Sequence, residues 1–186
     1  MALHIGDTAP DFTADSSTGP IHFHEWIGSD WVFFFSHPGD FTPVCTTEIG
    51  RTAQLAGGFE ARNVKPLGLS TDRLSEHLAW IKDVNDTMHT AVTFPIVADP
   101  ILTVARLYGM IHPHESETAA VRSVFIVDPH KKIRLTMTYP MNVGRNLSCG
   151  RICERRRCRW RARAPLVTRA RAIDMVCQRA DAYCAR

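Results

Sequence analysis

The sequence predicts an α/β fold in which helices cover both faces of a central mixed β-sheet. Strand-like and helix-like segments alternate between residues 21 and 107. After them come two β-rich runs, Ala120–Asp128 and Ile133–Tyr139, joined by the polar stretch Pro129-His130-Lys131-Lys132. This second pattern predicts a β-hairpin that follows the alternating part of the fold.

Each element has its own local signal. Trp31–Ser36 is almost continuously apolar and is bounded by turns, which is typical of a strand covered on both faces. Apolar residues recur at helical spacing from Thr46 to about Phe59, and again over Ser75–Val84, where Leu78 is expected on the apolar face. The remaining predicted elements are strands at Ile21–Phe23, Asn63–Ser70 and Phe94–Ala98, and a short helix at Leu102–Leu107.

A single cysteine lies where the loop after the first long strand passes into a helix. Pro43 suits the first helical turn, because its missing N–H would have no partner there. Cys45 therefore lies near unpaired backbone N–H groups and the positive end of the helix dipole, which favour a thiolate nucleophile. The alternative interpretation is a buried structural cysteine, the commoner role of a lone cysteine in an intracellular protein.

Charge and cysteine content both change near residue 146. Residues 1–146 contain 11 Lys+Arg and 16 Asp+Glu, a net charge of −5, whereas residues 147–186 contain 11 Arg and 3 acids, a net charge of +8. Cys45 is the only cysteine in the first part, and Cys149, Cys153, Cys158, Cys177 and Cys184 follow it. A body with one thiol is not a disulfide scaffold, which favours a reducing compartment. We expect a soluble, cytoplasmic protein without a signal peptide or membrane span.

The residues around Cys45 resemble the active-site signature of the peroxiredoxins. The pattern Pro38-x-x-x-Thr42-x-x-Cys45 lies within the string SHPGDFTPVCTTE, which is similar to the one-cysteine subfamily. Further matching motifs extend the resemblance over residues 3–146: Gly6-Asp7-x-Ala9-Pro10-x-Phe12, His77-Leu78-Ala79-Trp80, Phe94-Pro95-Ile96, Arg122-x-Val124-Phe125-Ile126 and Tyr139-Pro140-x-x-x-Gly144-Arg145-Asn146. The resemblance implies a thioredoxin-like fold and an antioxidant thiol peroxidase.

The resemblance also implies roles for individual residues. Cys45 would attack the peroxide and become a sulfenic acid, Thr42 would reach the thiolate or the peroxide, and Pro38 would shape the loop and shield the thiolate from water. Arg122 would supply a fixed cation beside the sulfur, and His37 could form a hydrogen bond near it. The alternatives are an N-cap role for Thr42, a solvent-exposed strand-end arginine at Arg122, and a structural role for His37.

The expected partners are a hydroperoxide and an external thiol reductant such as thioredoxin or glutathione. No cofactor, metal, nucleic acid or membrane partner is predicted, since His22, His24, His112 and His114 form no metal-ligand grouping with cysteines. A lipase-like Gly-x-Ser-x-Gly motif, carried by some relatives, is incomplete at Gly28–Val32, so phospholipase activity is not predicted. A homodimer is typical of the family, although the segment that helps to build it has no counterpart in this chain.

Residues 147–186 match neither the helix nor the C-terminal domain that follows in the family. Eleven arginines without a lysine, abundant alanine and cysteine, and an abrupt junction suggest a frameshift at about codons 146–147, and the composition favours a disordered tail. Nucleic-acid binding by the arginines and zinc binding by the cysteines are weaker interpretations. For the whole chain, the alternatives to a peroxidase are a peroxide sensor or holdase that uses the same cysteine, and an inactive product of a frameshifted gene.

Overall fold

The computed structural model of the protein describes residues 3–145. The predictions for residues 147–186, including the frameshift and the zinc and nucleic-acid interpretations, therefore lie outside the described residues, and the domain boundary at residue 146 stays a prediction. In chain order the elements are β1 (Thr13–Ala14), β2 (Ile21–His22), α1 (Phe23–Ile27), β3 (Trp31–Ser36), α2 (Pro43–Gln54), α3 (Ala56–Glu60), β4 (Val64–Ser70), α4 (Leu74–Met88), β5 (Ile96–Ala98), α5 (Thr103–Leu107), β6 (Arg122–Val127) and β7 (Ile133–Tyr139).

Five strands form the main sheet in the order β5-β4-β3-β6-β7. β3, β4 and β5 run parallel, β6 is antiparallel to β3, and β7 completes a hairpin with β6. β1 and β2 form a separate antiparallel pair. The mixed sheet and the hairpin predicted from the sequence are both confirmed.

The central strand β3 supplies side chains to both faces of the sheet, because successive residues of a strand point to opposite sides. Val32 and Phe34 pack into a cluster that includes residues of α1 and α5. Phe33 and Phe35 pack into a second cluster, with residues of α2, α3 and α4. This second cluster contains Cys45, so the cysteine lies on the face of the sheet that three helices cover.

Three sequence predictions about helices need correction. The single helix expected up to Phe59 is two helices, α2 and α3, which meet at Leu55. Phe23 was expected to end a strand but begins α1, where it is buried. On α4 the buried residues are His77, Trp80 and Val84, whereas Leu78 is 46% exposed. None of the described helices is both long enough and apolar enough to cross a membrane.

Gly50 allows α2 and α4 to approach closely. A Cβ atom at this position would lie 2.5 Å from Cγ and 2.8 Å from Cβ of Met88. We expect Gly50→Ala to lower the free energy of unfolding by about 1–3 kcal/mol through overpacking, as measured by urea denaturation. Gly57→Ala is the matched control, since a Cβ there would meet no atom within 4 Å. Equal stability of the two variants would show that the helices separate without cost.

Candidate active site

The loop between β3 and α2 delivers Cys45 to the first turn of a helix. Pro43 is the first residue of α2, Thr42 is its N-cap, and Cys45 follows two residues later with its side chain fully buried. The N–H groups of this first turn have no partners within the helix, and they carry its positive partial charge. The first turn of α2 therefore favours a negative charge on the Cys45 sulfur.

Arg122 brings a full positive charge to the same sulfur atom. It begins β6, and its side chain is 3% exposed. Nη1 donates to Cys45 Sγ over 3.4 Å and to Glu48 Oε2 over 2.6 Å, while Nε donates to the Met141 carbonyl over 3.0 Å. These three contacts fix both the position and the plane of the guanidinium group. Arg122 does lie at the end of a strand, but its side chain is buried, so the alternative of a solvent-exposed arginine is wrong.

Glu48 forms hydrogen bonds with two arginines, Arg122 and Arg145. It lies three residues after Cys45 on α2 and is buried. Besides Arg122, its carboxylate accepts hydrogen bonds from Nε and Nη2 of Arg145, at 3.0 and 2.8 Å, and from the Arg145 backbone N–H at 2.5 Å. Two cations and one carboxylate leave one positive charge, which a Cys45 thiolate would neutralise.

Neither Glu48 nor Arg145 received a role from the sequence, although both belong to the motifs quoted there. The available signal was an acid three residues after the cysteine, a spacing that puts both side chains on one face of a helix. Burial alone raises the pKa of Glu48, but the hydrogen bonds and charge of Arg145, together with the charge of Arg122, outweigh it. The net effect is that the pKa of Glu48 is lowered, and the carboxylate is ionised at neutral pH.

Replacing Glu48 with Gln is expected to lower the free energy of unfolding by about 3–5 kcal/mol at neutral pH, because two buried cations lose their anion. The lowered folded-state pKa means that ionised Glu48 stabilises the folded chain. This contribution is complete above the unfolded-state pKa, about 4.3, and is lost as the pH falls from there through the folded-state pKa. Urea denaturation at several pH values should therefore show that the difference in the free energy of unfolding between wild type and Glu48→Gln shrinks as the pH falls below about 4.3. Glu60→Gln, at an exposed position on α3, is the control, and an equal loss in both variants would contradict the prediction.

Thr42 lies at the predicted helix start, but its side chain does not cap the helix. The backbone carbonyl of Thr42 accepts the N–H of Thr46 at 2.9 Å, whereas the hydroxyl donates to the Gly39 carbonyl at 3.1 Å. The residue is exposed, and no hydrogen bond to Cys45 is found for it within residues 3–145. In this arrangement the hydroxyl shapes the loop, and it can donate to a bound peroxide only after it releases the Gly39 carbonyl.

His37 and Pro38 occupy the turn that leaves β3. Pro38 is half-buried, and His37 is fully buried with its ring 5.1 Å from that of Trp80. His37 Nε2 is 2.9 Å from Asp40 Oδ1, and its Nδ1 has no hydrogen-bond partner among the described residues. Burial lowers the pKa of His37 more than its bond to Asp40 raises it. Among the described residues, His37 therefore forms no hydrogen bond with the Cys45 sulfur.

One group of side chains in residues 3–145 has the spacing of a metal site. His37, Asp40 and Asp72 each place a potential ligand atom within 4.8 Å of the others. Both Asp40 oxygens already accept from histidine rings, and Asp72 Oδ2 accepts from the Asp40 N–H and the Ser70 hydroxyl. These hydrogen bonds account for the arrangement of the group without a cation.

A protein-family model described as the AhpC/TSA family matches residues 5–136. The chain belongs to the AhpC/TSA family. It is also 49% identical over 146 residues to a 1-Cys peroxiredoxin of Dictyostelium discoideum, a match that covers 78% of this chain and 61% of that protein. The resemblance to the one-cysteine peroxiredoxins is thus confirmed. The chain spans less than two thirds of the length of this relative.

Solved structures from the same family share the fold. A cysteine-to-serine mutant of peroxiredoxin 6 from Arenicola marina matches with a TM-score of 0.75 and 42% identity, over 79% of this chain and 70% of that one. The yeast mitochondrial 1-Cys peroxiredoxin matches with a TM-score of 0.74 and 45% identity, over 78% of this chain and 72% of that one. The predicted thioredoxin-like fold is confirmed by these matches.

Proposed function

We propose that the chain is a thiol-dependent peroxidase that reduces hydrogen peroxide and small organic hydroperoxides. The observation that carries this proposal is the position of Cys45 Sγ in the first turn of α2, 3.4 Å from the buried Arg122 guanidinium. Membership of the AhpC/TSA family supports it. The arrangement provides a nucleophile and fixed positive charge at one point, as attack on an O–O bond requires.

In the proposed reaction, the Cys45 thiolate attacks the terminal oxygen of the hydroperoxide. An S–O bond forms while the O–O bond breaks, so the sulfur is oxidised to a sulfenic acid. The other oxygen leaves as an alkoxide or hydroxide, takes up a proton, and departs as alcohol or water. Arg122 would stabilise the charge that develops on the leaving oxygen. Since Cys45 is fully buried, a hydroperoxide reaches it only after a local displacement of the surrounding side chains.

Recycling requires an external thiol. One equivalent condenses with the sulfenic acid to a mixed disulfide and water, and a second releases Cys45 in its thiol form. The yeast relative is described as resolved through the glutathione and thioredoxin systems, which makes reductants of these classes the first to test. Cys45 is the only cysteine among residues 3–145. We propose a cytoplasmic location, because one free thiol in the body of the chain suits a reducing compartment.

The test is peroxide consumption by the purified full chain with a small-molecule thiol in excess. Many equivalents of peroxide should be consumed per Cys45, with the rate first order in enzyme. Consumption that stops after one equivalent would contradict turnover and favour a sensor or holdase. Absence of any reaction, with the thiol titratable and the chain folded, would contradict the peroxidase proposal altogether.

A further inference from the structure

A buried serine ends the central strand of the sheet. Ser36 is the last residue of β3, and it is fully buried. Its Oγ donates to the Val121 carbonyl over 2.6 Å and accepts the Ser123 N–H over 3.1 Å. Val121 and Ser123 are the two neighbours of Arg122 in the sequence. One hydroxyl group therefore binds the main chain directly before and directly after the active-site arginine.

The main-chain pairing between β3 and β6 ends just before this serine. The last pair of their antiparallel ladder is Phe35 with Val124. The same register, extended by one residue, places Ser36 opposite Ser123. On its other side Ser36 pairs with Leu69 of β4. The Ser36 hydroxyl thus supplies the contact between β3 and β6 at the point where their ladder ends.

The main chain at Arg122 forms a tight turn. Besides its bond to Ser36, the Ser123 N–H donates to the Val121 carbonyl over 3.0 Å. A hydrogen bond between residues two apart defines a γ-turn, with Arg122 as its central residue. Because φ of Arg122 is not positive, the turn is the inverse form, which is common at strand ends. The hydroxyl, the carbonyl and the N–H bind one another, and together they fix the main chain from which the Arg122 side chain leaves.

Ser36 and the Arg122 side chain lie on opposite faces of the sheet. Successive strand residues point to opposite faces, so Arg122 shares the face of Val124, which packs in the cluster that contains Cys45. Ser36 shares the face of Phe34, which packs in the other cluster. The hydroxyl therefore acts on the sulfur only through the main chain at Arg122.

The second arginine of the site is attached to the same turn. Arg145 Nη1 donates to the Ser123 carbonyl over 3.1 Å, while its Nε and Nη2 donate to Glu48. Glu48 in turn accepts from Arg122 Nη1. A displacement of the turn would therefore move both cations relative to the carboxylate and the sulfur. A shift of about 1 Å in such groups can cost an enzyme about 10²-fold in rate.

We propose that Ser36 is a positioning residue, whose hydroxyl fixes the γ-turn at Arg122 and so keeps the guanidinium group in contact with the Cys45 sulfur. The proposal rests on the peroxidase function proposed above. The other residues of β3 are apolar, and an apolar side chain would suit this buried strand end equally well. The two hydrogen bonds to β6 explain why a hydroxyl is found there instead.

The first test is a double-mutant cycle on the rate of peroxide reduction. Ser36→Ala is expected to lower the second-order rate constant about tenfold, part of the loss of about 10²–10³ that follows removal of a donor. In an Arg122→Met background the same change should have little further effect, because no guanidinium group is left to position. Ser36→Ala should fold, since the Val121 carbonyl and the Ser123 N–H still bind each other, and circular dichroism checks this.

Ser16→Ala is the matched control. Ser16 is also buried, and its hydroxyl likewise donates to a carbonyl, that of Gly19, and accepts an N–H, that of Thr18. These bonds stabilise the turn between β1 and β2. The proposal would be overturned if Ser36→Ala lost no more activity than Ser16→Ala, or if its loss were equally large in the Arg122→Met background.

The second test does not depend on turnover. The Nε–H of Arg122 is buried and donates to the Met141 carbonyl, so its hydrogen exchange requires a local opening. We expect Ser36→Ala to speed this exchange about tenfold, the effect of one lost hydrogen bond on an opening equilibrium, and Ser16→Ala to leave it unchanged. NMR of the full chain labelled with ¹⁵N-arginine measures the exchange, and Arg122→Met assigns the signal. Equal exchange in wild type and Ser36→Ala would overturn the proposal, whereas faster exchange in a chain that consumes no peroxide would support it and overturn only the peroxidase function.

Discussion

Cys45→Ser is expected to abolish peroxide reduction, with a loss of at least about a thousandfold, as when the nucleophile of an enzyme is removed. A serine hydroxyl is not ionised at neutral pH and is a poor nucleophile without a strong base beside it. The side chain differs by one atom, and its oxygen can still accept from Arg122 Nη1, so the fold should persist. Initial rates of peroxide consumption, with circular dichroism as the check on folding, measure the effect.

The control replaces the five cysteines after residue 146 with serine while Cys45 is retained. We expect this variant, with Cys149, Cys153, Cys158, Cys177 and Cys184 all changed, to keep the wild-type rate when a small-molecule thiol is the reductant. A Cys45→Ser protein that still turned over peroxide would assign the chemistry to one of these thiols. Loss of turnover in the five-fold variant would show that the segment takes part in recycling.

Local sequence patterns predict an element correctly where the composition of a segment is compatible with few kinds of secondary structure. A run such as Trp31–Ser36 has no polar face to expose, and its short length, aromatic content and flanking turns favour a strand covered on both sides. Its bounds agree with those of β3 to the residue. The break between α2 and α3 was missed, although Gly57 and Gly58 lie just beyond it. Both glycines are helical residues of α3, so they weaken this stretch of helix by about 2 kcal/mol relative to alanine but do not fix the position of the break at Leu55.

Long-range contacts explain what the sequence could not provide. On α4, apolarity favoured Leu78 for the buried face, but His77 occupies it, because Asp40 and Val97 supply hydrogen-bond partners from two other elements. Arg145 likewise has no partner close to it in the sequence, since it donates to Glu48, which lies 97 residues earlier in the chain. Composition and spacing identify the loop that holds the nucleophile, whereas the groups that tune it are brought there by tertiary structure.

Arg122→Met is expected to slow peroxide reduction by about 10²–10³, the usual cost of removing one donor from a developing negative charge. Methionine fills similar space but supplies neither the Cys45 contact at 3.4 Å nor the hydrogen bond to Met141. Glu48 keeps its bonds to Arg145, so the carboxylate is not left unpaired. Second-order rate constants, measured together with the thiolate absorbance of Cys45 as a function of pH, record both consequences of the change.

The two measurements separate ground-state from transition-state effects. A free thiol with a pKa of about 8.5 is roughly 3% ionised at pH 7, so complete loss of thiolate stabilisation slows the reaction no more than about thirtyfold. A larger loss must come from the charge on the leaving oxygen. Arg134→Met is the matched control, because it removes an ion-paired arginine from the neighbouring strand. If Arg122→Met left both the thiolate titration and the rate at the level of this control, Arg122 would have no part in the reaction, and its contacts with Glu48 and Met141 would be structural alone.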